Sequence, residues 1–289
     1  MKIAIIGAGN VGRTMGRLCH QAGHEVSDVV CQSKRSASAA VRFIGAGRAW
    51  ASGQASLSQA DLVLVSTPDG RIPNAVELIE SNASTVGRPV VLHTSGAIAS
   101  SALSSLSELG MNIGSCHPLQ TFESPQSALA SVGASYFCIE GEPGAVRVAR
   151  RLVRDMGAQY FEIPTEMKSL YHAAAVMASG GLVALLSFSL DMLVRCGLRP
   201  SEARRVLLPL VEGTVANVSA LGAKRALTGP VRRGDSETVA RNLAALGSAD
   251  SCAADLYRLL ARRSVALVEQ NAANPAALLE VRRQLSKRR

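Results

Sequence analysis

Two ionisable side chains, Lys168 and His172, stand four residues apart in T-E-M-K-S-L-Y-H-A-A-A-V, residues 165–176. On an α-helix residues i and i+4 lie one above the other, so both can reach into one cleft. The chemistry they offer is proton transfer. A lysine drawn out of water releases its proton more readily than its reference pKa of about 10.4 implies. It can then hand that proton to a carbonyl oxygen as hydride arrives at the carbon, as a general acid does. His172 can orient the substrate or share the proton. The same spacing also fits a lysine that snorkels to water from the first turns of a helix, and a hydrogen-bonded core histidine. What the rest of the chain places beside the pair decides between these readings.

A second constellation opens the chain. K-I-A-I-I is a short strand-like run that ends in G-A-G-N-V-G, and V-G-R-T-M-G-R-L-C-H-Q-A-G then carries apolar residues at helical spacing. Strand, glycine turn and helix form the context that the G-x-G-x-x-G pattern requires. Gly7 permits the tight turn, Gly9 lets backbone approach a pyrophosphate, and Gly12 lets helix and strand pack closely. Ala8, Asn10 and Val11 complete the loop at a helix N-terminus, whose partial positive charge suits phosphate. A bound dinucleotide is therefore expected.

The end of the second strand indicates which one. An NAD site usually has a carboxylate there, roughly 20 residues on, for the ribose 2′-hydroxyl. Here Gln32 stands in that place, followed by Ser33, Lys34 and Arg35, while Asp28 falls too early and lies within the strand. A hydroxyl, an ammonium and a guanidinium suit a 2′-phosphate, so NADP is expected. A solvated basic loop is the plain alternative. Ser66, Thr67 and Pro68 in S-T-P-D, with Thr94 and Ser95 in H-T-S-G, fall at the carboxyl ends of central strands. Ligands of open α/β sheets bind there, so these residues are expected to line the ribose and nicotinamide. His93, still inside its strand, reads as structural.

These groups need a frame. Strand-like runs recur at 26–31, 62–66, 90–93, 111–115, 136–139 and 160–163, with helix-like segments such as 72–80 and 144–156 between them. That alternation predicts an α/β fold with a doubly wound, mostly parallel sheet of Rossmann type. After Ile163 and Pro164 no strand-like run returns, and helical segments begin at Thr165, Pro200, Ser236, Asp250 and Asn274. Two domains follow: residues 1–163 for the dinucleotide and an all-helical second domain, residues 164–289, for substrate and dimerisation.

Composition narrows the function classes. The 289 residues are 47% hydrophobic and 18% charged, as in a globular protein, with only 3% aromatics. Six cysteines without a C-x-x-C pair indicate neither a metal site nor a disulfide framework, and read as reduced thiols in a cytoplasmic protein. Residues 173–190 hold no charge, at the lower length limit of a spanning helix. With glycines and serines among them they are expected to form a buried helix, not a membrane span. Gly180 and Gly181 suggest close helix contact and a homodimer. Residues 1–163 carry 13 basic and 12 acidic side chains, and residues 164–289 carry 18 and 10. The basic half, ending in R-R-Q-L-S-K-R-R, reads as a solvated face with a frayed tail, since the near absence of aromatics argues against nucleic acid. Its charge leaves room for an acidic small-molecule substrate.

The G-A-G-N-V-G start, S-T-P-D, H-T-S-G-A, H-P-L-Q-T-F at residues 117–122, K-S-L-Y-H-A-A-A-V and L-T-G-P-V-R-R-G-D at 227–235 together resemble one bacterial group. It is the group of Rossmann-like proteins with a C-terminal domain of unknown function, within the 6-phosphogluconate dehydrogenase-like superfamily. Its relatives include pyrroline-5-carboxylate reductase, ketopantoate reductase, prephenate dehydrogenase and 3-hydroxyisobutyrate dehydrogenase. In hydroxyacid dehydrogenase relatives a lysine and an asparagine, four residues apart on the first long helix of the helical domain, face the nicotinamide. The resemblance thus implies catalytic roles for Lys168 and His172, with histidine here in place of asparagine. A similar H-P turn near substrate in prephenate dehydrogenases implies substrate contacts for His117 and Gln120. The expectation is an NADP-dependent oxidoreductase, moving hydride between nicotinamide and a small carbonyl, imine or hydroxy-acid substrate in the cleft between the domains. The alternative is a non-catalytic NADP-binding sensor or interaction protein.

Overall fold

Side chains alternate across a strand. In β1 (Lys2–Ile6) Ile3 and Ile5 join one core cluster, and Ala4 and Ile6 join another. Both faces of the strand are therefore covered, as in the middle of a doubly wound sheet. The computed structural model describes residues 1–269 and 274–287. Its further strands are β2 (Glu25–Cys31), β3 (Arg48–Ala51), β4 (Leu62–Val65), β5 (Val90–His93), β6 (Asn112–Leu119), β7 (Tyr136–Gly141) and β8 (Gln159–Glu162). They form one sheet in the order β3-β2-β1-β4-β5-β6-β7-β8. Neighbours run parallel except β6 and β7.

The helices between the strands are α1 (Asn10–Gln21), α2 (Lys34–Ile44), α3 (Ile72–Ser81), α4 (Ala83–Val86), α5 (Ser104–Glu108), α6 (Pro125–Ser131) and α7 (Pro143–Asp155), followed by α8 (Lys168–Ala178). One core cluster takes Met15 and Cys19 of α1, Ala40 and Ile44 of α2 and Leu152 of α7, while the other takes Ile72 and Ile79 of α3 and Leu106 of α5. This is the expected Rossmann-type architecture.

Two features of the sheet differ from the sequence reading. β3 was not expected: R-A-W-A shows no apolar run, because it lies at the sheet's edge with Arg48 exposed and Trp50 half-buried. β6 does not end at Ser115 but runs on through His117 and Pro118, so H-P is strand and not turn. Pairing with β5 stops at Ser115. Beyond that point β6 has a partner on one side only, and a proline lacking its N–H is tolerated.

The chain divides into two compact units, Met1–Ser179 and Gly180–Arg289. The first therefore keeps α8, which the change of pattern after Ile163 had assigned to the helical half. The second unit holds α9 (Gly180–Arg195), α10 (Pro200–Leu221), α11 (Ala223–Ala226), α12 (Pro230–Arg233), α13 (Ser236–Ala249), α14 (Ser251–Val268) and α15 (Pro275–Ser286). No strand occurs among its described residues. Its core gathers Val231 of α12, Val239 of α13, Val265 of α14 and Val281 of α15. Gly229, with φ +89°, turns the chain into α12, where L-T-G-P reads as a loop. Arg288 and Arg289 of the basic tail lie outside the described residues.

The apolar run 173–190 is not the buried helix expected. The stretch Thr165–Arg195 is long and apolar enough to cross a membrane by length and composition, and none of its most apolar window is buried within the chain. Val176 and Met177 of α8 and Val183 of α9 are exposed, and so are Val206, Leu210 and Val215 of α10. Burial inside this chain cannot explain why these residues are apolar.

Candidate functional site

The glycine turn after β1 has the conformation that its sequence requires. Gly7 adopts φ +87°, where a Cβ would strike the Ser66–Thr67 backbone at 2.7 Å, and a Cβ on Gly12 would meet the Gly7 carbonyl oxygen at 2.3 Å. Turn, α1 and the end of β4 are thus in direct contact. Gly9 faces open space, which is the room that an approaching pyrophosphate needs. Ala8 precedes it, Val11 lies in the first turn of α1, and Arg13 donates to the Ala8 carbonyl at 2.9 Å. Asn10 donates to the carbonyls of Phe122 and Glu123, tying the segment after β6 to the turn.

At the end of β2, Ser33 caps α2 by accepting from the Ser36 N–H at 3.2 Å. Lys34 and Arg35 occupy the first turn of that helix, where backbone N–H groups lack intrahelical partners. The Lys34 amine rests on β3, donating to the Ala49 carbonyl and lying 5.3 Å from the Trp50 ring centre. Asp28 is buried within β2 and accepts from Ser58, Trp50 and Arg48, so it takes no part at the loop. Ser66 and Thr94 pair their hydroxyls at 3.3 Å across the ends of β4 and β5. The Thr67 hydroxyl is buried without a partner among the described residues, whereas the Ser95 hydroxyl accepts from the N–H groups of Ala97 and Ile98. Pro68, at the same strand end, is exposed.

Further along the same carboxyl edge a polar row crosses the sheet. His93, Ser115 and Glu140 are paired in register on β5, β6 and β7, so they share one face. All three are buried. Glu140 accepts from the Ser100 N–H at 2.9 Å and from its hydroxyl at 2.6 Å. Lys168 enters the row from α8, 1% exposed, donating to the Ser115 hydroxyl at 2.5 Å with Glu140 at 3.9 Å. The amine is turned into the sheet, not outwards. Burial pulls its pKa below the ordinary lysine value, opposed by the Glu140 carboxylate.

Helical spacing makes Lys168, Tyr171, His172 and Ala175 one stripe of α8, and these are the four residues of the helix that are not exposed. The Tyr171 hydroxyl lies 2.7 Å from His117 Nδ1. The rings of His117 and His172 meet edge to face, 6.1 Å between centres. Both close on Gly96, where a Cβ would meet His172 Nδ1 at 2.6 Å and His117 Nε2 at 2.7 Å, so a larger residue there would push the two rings away. Among the described residues His172 Nδ1 is buried without a hydrogen-bond partner, and so is Nε2 of His93. Burial, then the charges of Lys168 and His172, lower the His117 pKa to about 4, so its imidazole is neutral at pH 7. His93 is lowered to about 4 by burial and then by Lys168. Burial raises Tyr171 above the ordinary phenol and the Cys138 thiol to about 11, so both keep their protons.

The structure thus brings together Lys168, His172 and His117 from the sequence reading. Gln120 stays apart: its amide bonds the hydroxyls of Ser131 and Ser135 beside α6. His93, read as structural, lies in the polar row. Tyr171, Ser115, Glu140 and Ser100 were missed, and Gly96 was seen only as the last residue of H-T-S-G. Only Tyr171 had a signal, its place three residues after Lys168 on the same helix. Among the described residues no group of three or more His, Cys, Asp or Glu side chains could hold a metal ion.

Residues 1–118 match the family model of a Rossmann-like domain, and residues 135–264 match that of a domain of unknown function, DUF2520. No curated protein matches. Among solved structures, protein TM1727 of Thermotoga maritima is 24% identical with TM-score 0.76, over 93% of this chain and 98% of that one. BF3122 of Bacteroides fragilis, assigned as an NADP oxidoreductase, is 23% identical with TM-score 0.71, over 91% and 97%. The pyrroline carboxylate reductase of Plasmodium falciparum, solved with NADP bound, is 14% identical with TM-score 0.58, over 92% and 98%. At these identities the likeness is one of fold. The chain thus carries a match to a Rossmann-like domain followed by a match to a DUF2520 domain. Its rim draws on both segments: the glycine turn, His93, Ser115 and His117 fall in the first match, and Glu140, Lys168, Tyr171 and His172 in the second.

Proposed function

We propose that this chain, a Rossmann-like domain joined to a DUF2520 domain, is an NADP-dependent oxidoreductase acting on a small carbonyl, imine or hydroxy-acid substrate. One observation carries the reading. A glycine turn fitted to a pyrophosphate and a cluster of proton-bearing side chains stand on the same carboxyl edge of one sheet. Gly7, Gly9 and Gly12, with the hydroxyls at the ends of β4 and β5, hold the dinucleotide. Ser33, Lys34 and Arg35 take the 2′-phosphate. When bound, the nicotinamide supplies or accepts the hydride. His117, Tyr171 and His172 orient the substrate and exchange a proton with its oxygen or nitrogen, with Lys168 behind them in the sheet.

The same reading includes a homodimer. α9 and the start of α10 line a groove of about 770 Å³ with Val183, Leu190 and Val194, and Asp191 and Arg204 belong to the same lining. An acid and a base in one apolar groove make it self-complementary, as a two-fold contact requires. A lipid-facing surface would carry neither charge.

The test is direct titration of the full-length protein with NADPH, followed by NADPH oxidation in the presence of pooled keto acids, imines and aldehydes. Gly12→Val should weaken NADPH binding by ~100-fold or more, about 2.7 kcal/mol, because the new Cβ displaces the turn. Binding without oxidation of any substrate would favour the sensor, and no binding would end the reading.

A further inference from the structure

Lys168 has a setting unusual for a group that meets substrate. It is the one buried residue of α8, and its amine is held by Ser115 and Glu140 in the interior. The carboxylate has both oxygens fixed by Ser100, so the anchor is itself anchored. An ammonium placed this way is a fixed charge. What surrounds it is a set of imidazoles: His93 is paired in register with Ser115, and His117 follows Ser115 by two residues on the same face of β6.

We propose that Lys168 is a positioning residue, a buried cation anchored by Glu140 and Ser115, whose task is to keep His117 and His93 in their neutral form. This rests on the oxidoreductase reading of the same rim.

The hydrogen bonds agree with it. His93 Nδ1 accepts from the Ser95 N–H at 3.2 Å, so that nitrogen cannot take a second proton without losing the bond. His117 Nδ1 faces the Tyr171 hydroxyl, which retains its proton and can donate to it. That leaves the His117 proton on Nε2, toward Gly96 and the unpartnered His172 Nδ1. The His117 N–H and His172 Nδ1 thus flank one point. The charged and titratable groups around His117 are Lys168, Tyr171 and His172 on α8, His93 on β5, Cys138 on β7 and Asp69 after β4. Of these Lys168 is the buried cation that opposes its protonation. The benefit is electrostatic. A neutral imidazole N–H still donates a hydrogen bond to a ligand at this point, without adding a positive charge beside the nicotinamide that the glycine turn would hold.

The experiment uses full-length protein labelled with ¹⁵N-histidine, whose ring nitrogens report each protonation state by NMR without any substrate. Lys168→Met should raise the His117 titration midpoint by about one pH unit or more, on the scale of one close charge. Lys168→Arg, which keeps the charge but cannot serve as an acid, should leave it low. If Lys168→Met fails to fold because Glu140 is left unpaired, the double variant Lys168→Met/Glu140→Gln removes both charges of the pair, and the rise in His117 should persist. An unmoved His117 in the uncharged variants overturns the proposal. So does turnover lost equally in Lys168→Arg and Lys168→Met with His117 unchanged, the pattern of a proton donor. Failure of wild-type protein to bind NADPH would instead remove the oxidoreductase reading and leave the histidine titrations standing.

Discussion

β1 and α10 are both rich in apolar residues and meet opposite fates. Four of the five residues of β1 are buried, whereas α10 buries Ala203 alone and leaves Leu210 68% exposed. A sheet with helices on both faces covers itself from within one chain. Helices that are apolar on several sides cannot, and what covers them must come from elsewhere. The contrast also locates the chemistry: the closed unit can hold charges such as Glu140, Lys168 and Asp28 at fixed points, because it excludes water around them.

The largest expected effect tests that difference. Light scattering at micromolar concentration should give twice the chain mass of 30.2 kDa. Arg204→Asp should shift the protein toward the single-chain mass, and Asp191→Arg in the same chain should restore the larger species by exchanging the two charges. Wild-type protein of single-chain mass would reject the homodimer, and protein that floats with liposomes in place of pairing would assign the apolar face to lipid.

A smaller effect probes the closed unit. Burial pushes the Asp28 carboxyl up, but the hydrogen bonds from Ser58 and Trp50 and the Arg48 charge outweigh it and hold the group below its ordinary value. A depressed folded pKa contributes stability that is present above the unfolded value, about 3.9, and is lost as pH falls from there through the folded value. Asp28→Asn should therefore cost about 1.5–3 kcal/mol at pH 7, the scale of hydrogen bonds to a charged group. In urea titrations the gap between wild type and variant should narrow below about pH 4. A gap that is constant with pH would mean that the charge contributes nothing.

The same contrast explains what was legible in the sequence. The glycine turn, the strand-helix alternation and the helical second half follow local patterns, so Gly7, Gly9, Gly12 and most strands could be placed. Lys168 and His172 could be put on one helix face because their spacing is local. Their partners are not local: Ser115 and Glu140 meet Lys168 only because β6 and β7 pair antiparallel in one register, which no spacing in the sequence announces. β3 was hidden because an edge strand needs no apolar run. The exposure of α9 and α10 was hidden for a related reason, since a composition suited to burial does not say whether the same chain provides the cover.

The smallest effect sharpens the cofactor assignment within the closed unit. Lys34 and Arg35 both stand at the start of α2 but differ in freedom. The Lys34 amine is bonded to the Ala49 carbonyl and lies beside Trp50, whereas the Arg35 side chain is exposed and makes no hydrogen bond or ion pair among the described residues. A 2′-phosphate can thus recruit Arg35 without breaking a bond, while Lys34 must leave one. Arg35→Ala should weaken NADPH binding about tenfold, roughly 1.4 kcal/mol, and Lys34→Ala should weaken it less. NADH binding, which lacks the phosphate, should be nearly unchanged in both. Because the loop is exposed, raising the salt concentration should shrink the difference between wild type and Arg35→Ala. Calorimetric titrations of both cofactors at two ionic strengths measure all of this, and equal affinity of the wild-type protein for NADPH and NADH would remove the 2′-phosphate assignment while leaving the dinucleotide turn intact.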